Sequence, residues 1–165
     1  METAQNKIVK AALLGAGTVG SGVYQLVQER QEDFPHICGT QIQITKILVR
    51  DASKDREGIP SPLLTDNWNE IIEDDSISII IEVMGGIEPA KSYLLEAMKA
   101  GKQIVTANKD LIAEHGHELL DSAEKYGCDF LAASDVAEPS KEDREHLNEE
   151  GHKKLAEAVL EVLAA

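Results

Sequence analysis

The fold is decided by the stretch Ile8-Val9-Lys10-Ala11-Ala12-Leu13-Leu14-Gly15-Ala16-Gly17-Thr18-Val19-Gly20 near the start of the chain. Its first part is almost continuously apolar, which is typical of a β-strand covered on both faces. From Val19 to Val27 the apolar residues recur at helical spacing, so a helix begins inside the glycine-rich turn and runs to about Arg30. The sequence therefore predicts a strand, a glycine turn and a helix in direct succession.

The three glycines of this turn form a GxGxxG pattern, and each can serve a dinucleotide. Gly15 permits the tight turn, Gly17 lets a phosphate approach the backbone, and Gly20 lets the helix pack closely on the sheet. The N–H groups at the helix start, including those of Thr18 and Val19, point with the helix dipole toward the place of a pyrophosphate. A dinucleotide site is therefore predicted here, and a purely structural turn is the alternative.

The rest of the chain alternates short β-branched runs with segments of helical periodicity, which indicates an α/β fold. We expect one doubly wound parallel sheet of five or six strands in Rossmann order, in a three-layer αβα arrangement that forms a single domain over 1–165. Asn108 is predicted to cap a helix that ends at Gly127. The further predicted strands are 41–49, 63–65, 77–83, 103–107 and 128–133, and the helices are about 68–72, 89–100, 111–126 and a closing segment from about 147.

Composition excludes several classes of partner. The 165 residues carry 16 basic and 30 acidic side chains, a formal charge of −14, and no basic stripe, which argues against nucleic acid. No leader and no apolar run of bilayer length is present, so we expect no membrane partner and a cytoplasmic location. Cys38 and Cys128 lie far apart, which suits a reducing compartment. The histidines lack the spacing of metal ligands, so no metal site is predicted.

The second strand ends in Arg50-Asp51, which leaves the choice of nucleotide open. An arginine here suits the additional phosphate of NADP, whereas an acidic residue suits the ribose hydroxyls of NAD. We expect NADP or NAD, with NADP slightly favoured. A charged pair that merely faces water at the strand end is the alternative.

Four segments, 15–22, 48–51, 82–90 and 105–109, together resemble homoserine dehydrogenase, and the resemblance covers about residues 7–127. It implies an NAD(P)-binding Rossmann domain that, in the family, serves the interconversion of homoserine and aspartate semialdehyde by hydride transfer. It also implies that Gly85 belongs to the cofactor site. Thr106, Asn108 and Lys109 would line the nicotinamide and substrate side, with Lys109 near the reacting carbonyl.

The closing segment, 128–165, resembles the last block of SGNH (GDSL-type) esterases, which have a flavodoxin-like fold. Asp143 and His146 match the Asp-x-x-His of that family's Ser-His-Asp triad. The place of the nucleophile is occupied by Gly15-Ala16-Gly17, so we expect both residues to be vestigial. The sequence thus predicts an engineered chimera with a crossover between about Leu119 and Leu131; a natural truncated paralogue is the alternative.

The expected function is dinucleotide binding by a cofactor domain without its substrate domain, and hence without turnover. We expect a monomer or a weak homodimer. Two other hypotheses stay open: a folded scaffold that has kept no ligand affinity, and residual esterase activity at His146.

Overall fold

A computed structural model describes residues 7–129 of the chain. These residues fall almost wholly within a first compact unit, Met1–Cys128. The predicted SGNH-like closing helix and the candidate residues Asp143 and His146 lie outside the described residues. The expectation of a single domain over 1–165 depends on the same segment and stays a prediction.

Five parallel strands form one sheet, which confirms the predicted fold class. They are β1 (Lys7–Leu14), β2 (Thr40–Leu48), β3 (Leu64–Thr65), β4 (Ile77–Glu82) and β5 (Gln103–Thr106). Their order across the sheet is β3-β2-β1-β4-β5. The chain thus moves outward from β1 in one direction and then returns to β1's other side, which is the doubly wound topology.

Helices and turns connect the strands largely where the sequence predicts them. The helices are α1 (Thr18–Glu29), α2 (Phe34–Cys38), α3 (Asn69–Ile72), α4 (Ala90–Lys99) and α5 (Lys109–Tyr126), with a 3₁₀ turn at Ser61–Leu63. The short helix α2 was not expected. Pro89 lies one residue before α4 instead of within it. Gly127 ends α5 at φ 68°, as predicted, and neither Cys128 nor Asp129 is part of a strand.

The core lies on both faces of the sheet because neighbouring residues of β1 point to opposite sides. Ala11 and Leu13 belong to a buried cluster that includes Tyr24 and Val27 of α1. Leu14, which points the other way, is also fully buried. Helix α4 contacts β4, β5 and α5, and its Leu94 is fully buried. No helix within residues 7–129 combines the length and the apolar character needed to cross a membrane.

Two register shifts at Ala11 align the carboxyl ends of the strands. Between Ala11 and Ala12 the partner strand β2 contains one additional residue, Thr45, and between Lys10 and Ala11 the strand β4 contains one additional residue, Ser78. Beyond these β-bulges, Leu14 is paired with Leu48 on one side and with Glu82 on the other. Glu82 is paired in turn with Thr106.

Candidate functional site

The glycine turn after β1 is held by close backbone packing. Gly15 has φ +104°, and a Cβ atom there would lie 3.2 Å from the Val83 carbonyl oxygen and 3.3 Å from the Met84 nitrogen. A Cβ atom on Gly20 would overlap the carbonyl oxygen of Gly15. The Gly15 N–H donates to the Leu48 carbonyl at 2.9 Å. Gly20 therefore packs against the turn itself and Val83, a more local contact than the predicted packing on the sheet.

The start of α1 is open at Gly17. This residue is the N-cap, with φ −79° and ψ −163°, and a Cβ atom there would meet nothing within 4 Å. No side chain caps the helix, and its first turn contains no acidic residue. Because the first N–H groups of a helix lack intrahelical partners, they are available to an anion. The next two residues, Thr18 and Val19, are exposed, Val19 at 58%.

The end of β2 presents Arg50 to solvent, while the neighbouring Asp51 is half-buried. One carboxylate oxygen of Asp51 accepts from the Ser53 N–H at 3.0 Å and from the Ser53 hydroxyl at 2.6 Å. The other lies 3.9 Å from the Lys54 ammonium. The Ser53 hydrogen bonds, helped by Lys54 and Arg56, lower the pKa of Asp51. The Asp51 carboxylate is thus held within its own loop.

A buried carboxylate, Glu82, lies at the end of β4 with 0% exposure. The Thr106 hydroxyl donates to its Oε2 at 2.6 Å, and the Met84 N–H donates to its Oε1 at 2.7 Å. The Asn108 amide Nδ2 lies 3.5 Å from Oε1 and donates to the Gly86 carbonyl at 2.6 Å. These contacts join the loop after β4 to the end of β5.

Asn108 caps α5, as the sequence predicts, because its Oδ1 accepts from the Leu111 N–H at 3.1 Å. Its own N–H donates to the Thr106 hydroxyl oxygen at 3.1 Å. Both ends of the buried Asn108 side chain and the hydroxyl proton of Thr106 are therefore used inside the protein. Lys109 is exposed at the first position of α5, and no carboxylate of residues 7–129 forms an ion pair with it.

The structure thus brings the predicted residues to one edge of the sheet in two groups. The first group is the glycine turn with the Arg50 loop beside it, since Gly15 and Leu48 are hydrogen-bonded. The second is the loop containing Gly85, at φ 74°, together with 106–109. The role of Glu82 was not predicted from the sequence, although an acidic residue that ends an apolar β-branched run was a usable signal. Among the described residues, no cluster of three or more His, Cys, Asp or Glu side chains could hold a metal.

A parallel sheet in this order, with a glycine turn leading from its central strand into an uncapped helix, defines a Rossmann domain of the dinucleotide-binding class. The family model described as the NAD-binding domain of homoserine dehydrogenase matches residues 15–133. The chain therefore belongs to the homoserine dehydrogenase family.

Individual relatives agree with this assignment. The homoserine dehydrogenase of Bacillus subtilis is 43% identical over 132 residues, which is 79% of this chain and 30% of the relative. That of Corynebacterium glutamicum is 43% identical over 129 residues, 78% of this chain and 29% of the relative. A crystal structure of S. aureus homoserine dehydrogenase at pH 8.5 matches with a TM-score of 0.74 and 45% identity, covering 82% of this chain and 35% of that chain. The chain thus spans about 30% of the length of these curated relatives.

Proposed function

We propose that this domain binds a nicotinamide dinucleotide with its pyrophosphate at the start of α1. The observation that carries the proposal is the open, uncapped helix start at Gly17, beside a turn that Gly15 and Gly20 hold in place. The N–H groups of Thr18, Val19 and Gly20 are the donors suited to phosphate oxygens. When bound, the nicotinamide supplies hydride transfer, and the protein's part is to hold and orient it.

We propose NADP as the favoured dinucleotide. The Asp51 carboxylate is engaged by Ser53 and Lys54, which leaves it poorly placed to accept from ribose hydroxyls. The exposed Arg50 guanidinium is available instead, and a guanidinium suits a phosphate through paired hydrogen bonds. The matching family model is described as NAD-binding, so titration with both nucleotides is the measurement that decides between them.

For the nicotinamide side we propose the rim formed by Gly85, Thr106, Asn108 and Lys109. The side chains of Thr106 and Asn108 are occupied by internal hydrogen bonds, so their contribution would come from their backbone and their shape. Lys109 is the exposed cation of the rim and the side chain suited to a substrate oxygen.

The deciding experiment is calorimetric titration with NADP and then with NAD, on the parent chain, Gly17→Val and Gly22→Val. Both glycines face open space, but only Gly17 lies at the helix start. Saturable heat that disappears in Gly17→Val and persists in Gly22→Val is the expected result. A cooperatively folded parent chain that gives no heat with either nucleotide would overturn the proposal and favour the scaffold hypothesis.

We further propose that these 165 residues bind the dinucleotide without turning over homoserine. The chain corresponds to about 30% of the length of its relatives, and the family resemblance implies that substrate handling depends on a substrate domain outside the matched region. The measurement is NADPH oxidation in the presence of aspartate semialdehyde. A steady-state rate above the protein-free background would contradict this proposal.

We propose a separate origin for the closing segment 128–165 on its SGNH-like motifs alone, and the homoserine dehydrogenase match, which extends to residue 133, limits it to the residues beyond. With no serine nucleophile at the glycine turn, we expect no hydrolysis of nitrophenyl acetate, and activity abolished by His146→Ala would contradict that expectation. We also propose a monomer or weak homodimer in the cytoplasm. Size-exclusion chromatography with light scattering measures the oligomeric state.

A further inference from the structure

Glu82 is an acidic side chain in the core whose contacts are directed at two loops. Its side chain has 0% exposure, and a carboxylate in such a place is tolerated only when hydrogen bonds replace its water. The donors are the Thr106 hydroxyl at 2.6 Å and the Met84 N–H at 2.7 Å, on different carboxylate oxygens. One oxygen therefore holds the loop after β4, and the other holds the end of β5.

The contacts continue from Thr106 to the start of α5. The Thr106 hydroxyl donates a hydrogen bond to Glu82, and its oxygen accepts one from the Asn108 N–H at 3.1 Å. The Asn108 side-chain NH₂ group donates to the Gly86 carbonyl at 2.6 Å, and its Oδ1 accepts from the Leu111 N–H at 3.1 Å. The network closes on itself, because Met84 and Gly86 belong to the same loop. Lys109, next to Asn108, begins the helix that this network anchors.

This hydrogen-bond pattern requires two acceptor oxygens on the side chain at position 82. A carboxylate offers acceptor oxygens to both Met84 and Thr106, whereas a glutamine amide offers one oxygen and one NH₂ group. If glutamine accepts from the Met84 N–H, its NH₂ group faces the Thr106 oxygen, and the Thr106 hydroxyl proton loses its acceptor. The two acceptor oxygens of Glu82 therefore have a structural role that a glutamine amide of the same shape does not fulfil.

We propose that Glu82 is a positioning residue for the nicotinamide half of the site. Its carboxylate holds the loop of Met84 and Gly86 against the start of α5 and so fixes the location of Lys109. This inference rests on the proposed function, since it assigns the second group of residues to the nicotinamide side. It predicts that Glu82 affects the nicotinamide half of a bound dinucleotide more than the adenosine half, which it reaches only through the packing of Met84 against the Gly15 turn.

The first test uses the ligand-free chain and amide hydrogen exchange measured by NMR. In Glu82→Gln we expect exchange to accelerate about tenfold or more at the amides of Met84, Asn108 and Leu111. The Leu94 amide, in the buried middle of α4, is expected to keep its parent rate. The matched control is Glu88→Gln, an exposed carboxylate near the end of the same loop, which accepts from the Ser92 N–H and hydroxyl. Acceleration at Met84 alone would overturn the proposed coupling of the two loops.

The second test compares binding of NADP with binding of 2′-phospho-adenosine diphosphate ribose, which lacks the nicotinamide ring. We expect Glu82→Gln to weaken NADP binding about tenfold or more and to weaken binding of the fragment by a clearly smaller factor. Equal weakening of both ligands, or of neither, would overturn the inference while the proposed function stands. Failure of the parent chain to bind either ligand would overturn the proposed function and this inference together.

A second pair of variants keeps the test valid if Glu82→Gln does not fold. Thr106→Val removes the hydroxyl that links Glu82 to Asn108, and Thr106→Ser retains it. The valine variant is expected to reproduce the exchange pattern of Glu82→Gln in the ligand-free chain, and the serine variant to keep the exchange pattern of the parent. A valine variant with parent exchange rates at Asn108 and Leu111 would overturn the inference.

Discussion

The first turn of α1 lies so close to the preceding glycine turn that a Cβ atom on Gly20 would overlap the carbonyl oxygen of Gly15. The Gly15 backbone cannot move away from such a Cβ atom, because Gly15 itself packs closely against the backbone of Val83 and Met84. The glycine pattern therefore contains two positions that are required by packing and one, Gly17, that is open to a ligand. Substitutions at these positions separate folding from binding.

We expect Gly20→Ala to lower the free energy of unfolding by about 1–3 kcal/mol, because the added methyl group must displace backbone. Gly22→Ala is the control, since its Cβ enters open space within the same helix. That substitution is expected to raise the free energy of unfolding by about 0.5–1 kcal/mol through helix propensity. Urea unfolding of the three chains measures both effects, and equal stability of the two variants would contradict the packing argument.

We expect Arg50→Ala to lower the preference for NADP over NAD and to leave the affinity for NAD almost unchanged. The guanidinium is exposed, and Asp51 is held by Ser53, so loss of Arg50 removes the group suited to the additional phosphate. We expect NADP binding to weaken about tenfold or more, with NAD affinity changed less than about twofold. Titration calorimetry with both nucleotides provides the ratio, and an unchanged ratio would mean that another residue recognises the phosphate.

Lys102 is a buried lysine that ties the connection between α4 and β5 to the start of β4 and the loop before it. With 4% exposure, its ammonium donates to the carbonyls of Asp74 at 2.7 Å and Ile77 at 2.8 Å. Lys102→Met leaves both carbonyls without this donor, and we expect a loss of about 2 kcal/mol in the free energy of unfolding. Lys99→Met, at the exposed end of α4, is expected to stay within about 0.5 kcal/mol of the parent. Thermal or urea unfolding that ranks the two variants equally would refute the role of Lys102.

Acid should destabilise the chain partly through Asp74. Hydrogen bonds from the Ser76 hydroxyl and N–H, with smaller contributions from Lys10 and Lys102, lower the pKa of this carboxyl from its ordinary 3.8. The folded state therefore favours the ionised form more than the unfolded state does. The resulting stabilisation is complete above pH 3.8 and is lost as the pH falls through the lower folded pKa.

The measurement for Asp74 is the melting temperature against pH for the parent chain and Ser76→Ala. We expect the parent to melt at the higher temperature near neutral pH, and the difference to shrink as the pH falls below 3.8. Ser78→Ala serves as the comparison, because the Ser78 hydroxyl donates to a backbone carbonyl, that of Lys10. Its difference from the parent should not vary with pH in this range. A Ser76→Ala difference that stays constant down to the lowest pH would contradict the assignment.

Local patterns in the sequence were sufficient for most of the fold. The apolar run before Gly15 and the helical spacing after it predict β1 and α1, and Asn108 with Gly127 predicts the limits of α5. These features depend on a few neighbouring residues, so periodicity and capping rules detect them. The strand order follows from the alternation of strands and helices and from the handedness of their connections.

The site was less accessible to sequence reasoning, because its contacts join residues distant along the chain. Glu82 meets Thr106 only when β4 and β5 are paired in the observed register. The orientation of Asp51 depends on a side-chain hydrogen bond to Ser53 that competes with any ligand. Spacing in the sequence indicates which residues reach the carboxyl edge, but not which of their polar atoms are already used.

The β-bulges at Ala11 determine where the strands of the site tolerate a change of chain length. Thr45 and Ser78 are each the one unmatched residue of their strand, and beyond them Leu14 stands opposite Leu48 and Glu82. Deletion of either residue would leave a regular strand with these pairs still opposite one another. One residue added beyond a bulge would instead move the strand end by one position, about 3.3 Å, and turn its side chains to the other face. An insertion after Lys46 would thus shift Arg50, and one after Ile80 would shift Glu82, relative to a glycine turn whose own sequence is intact.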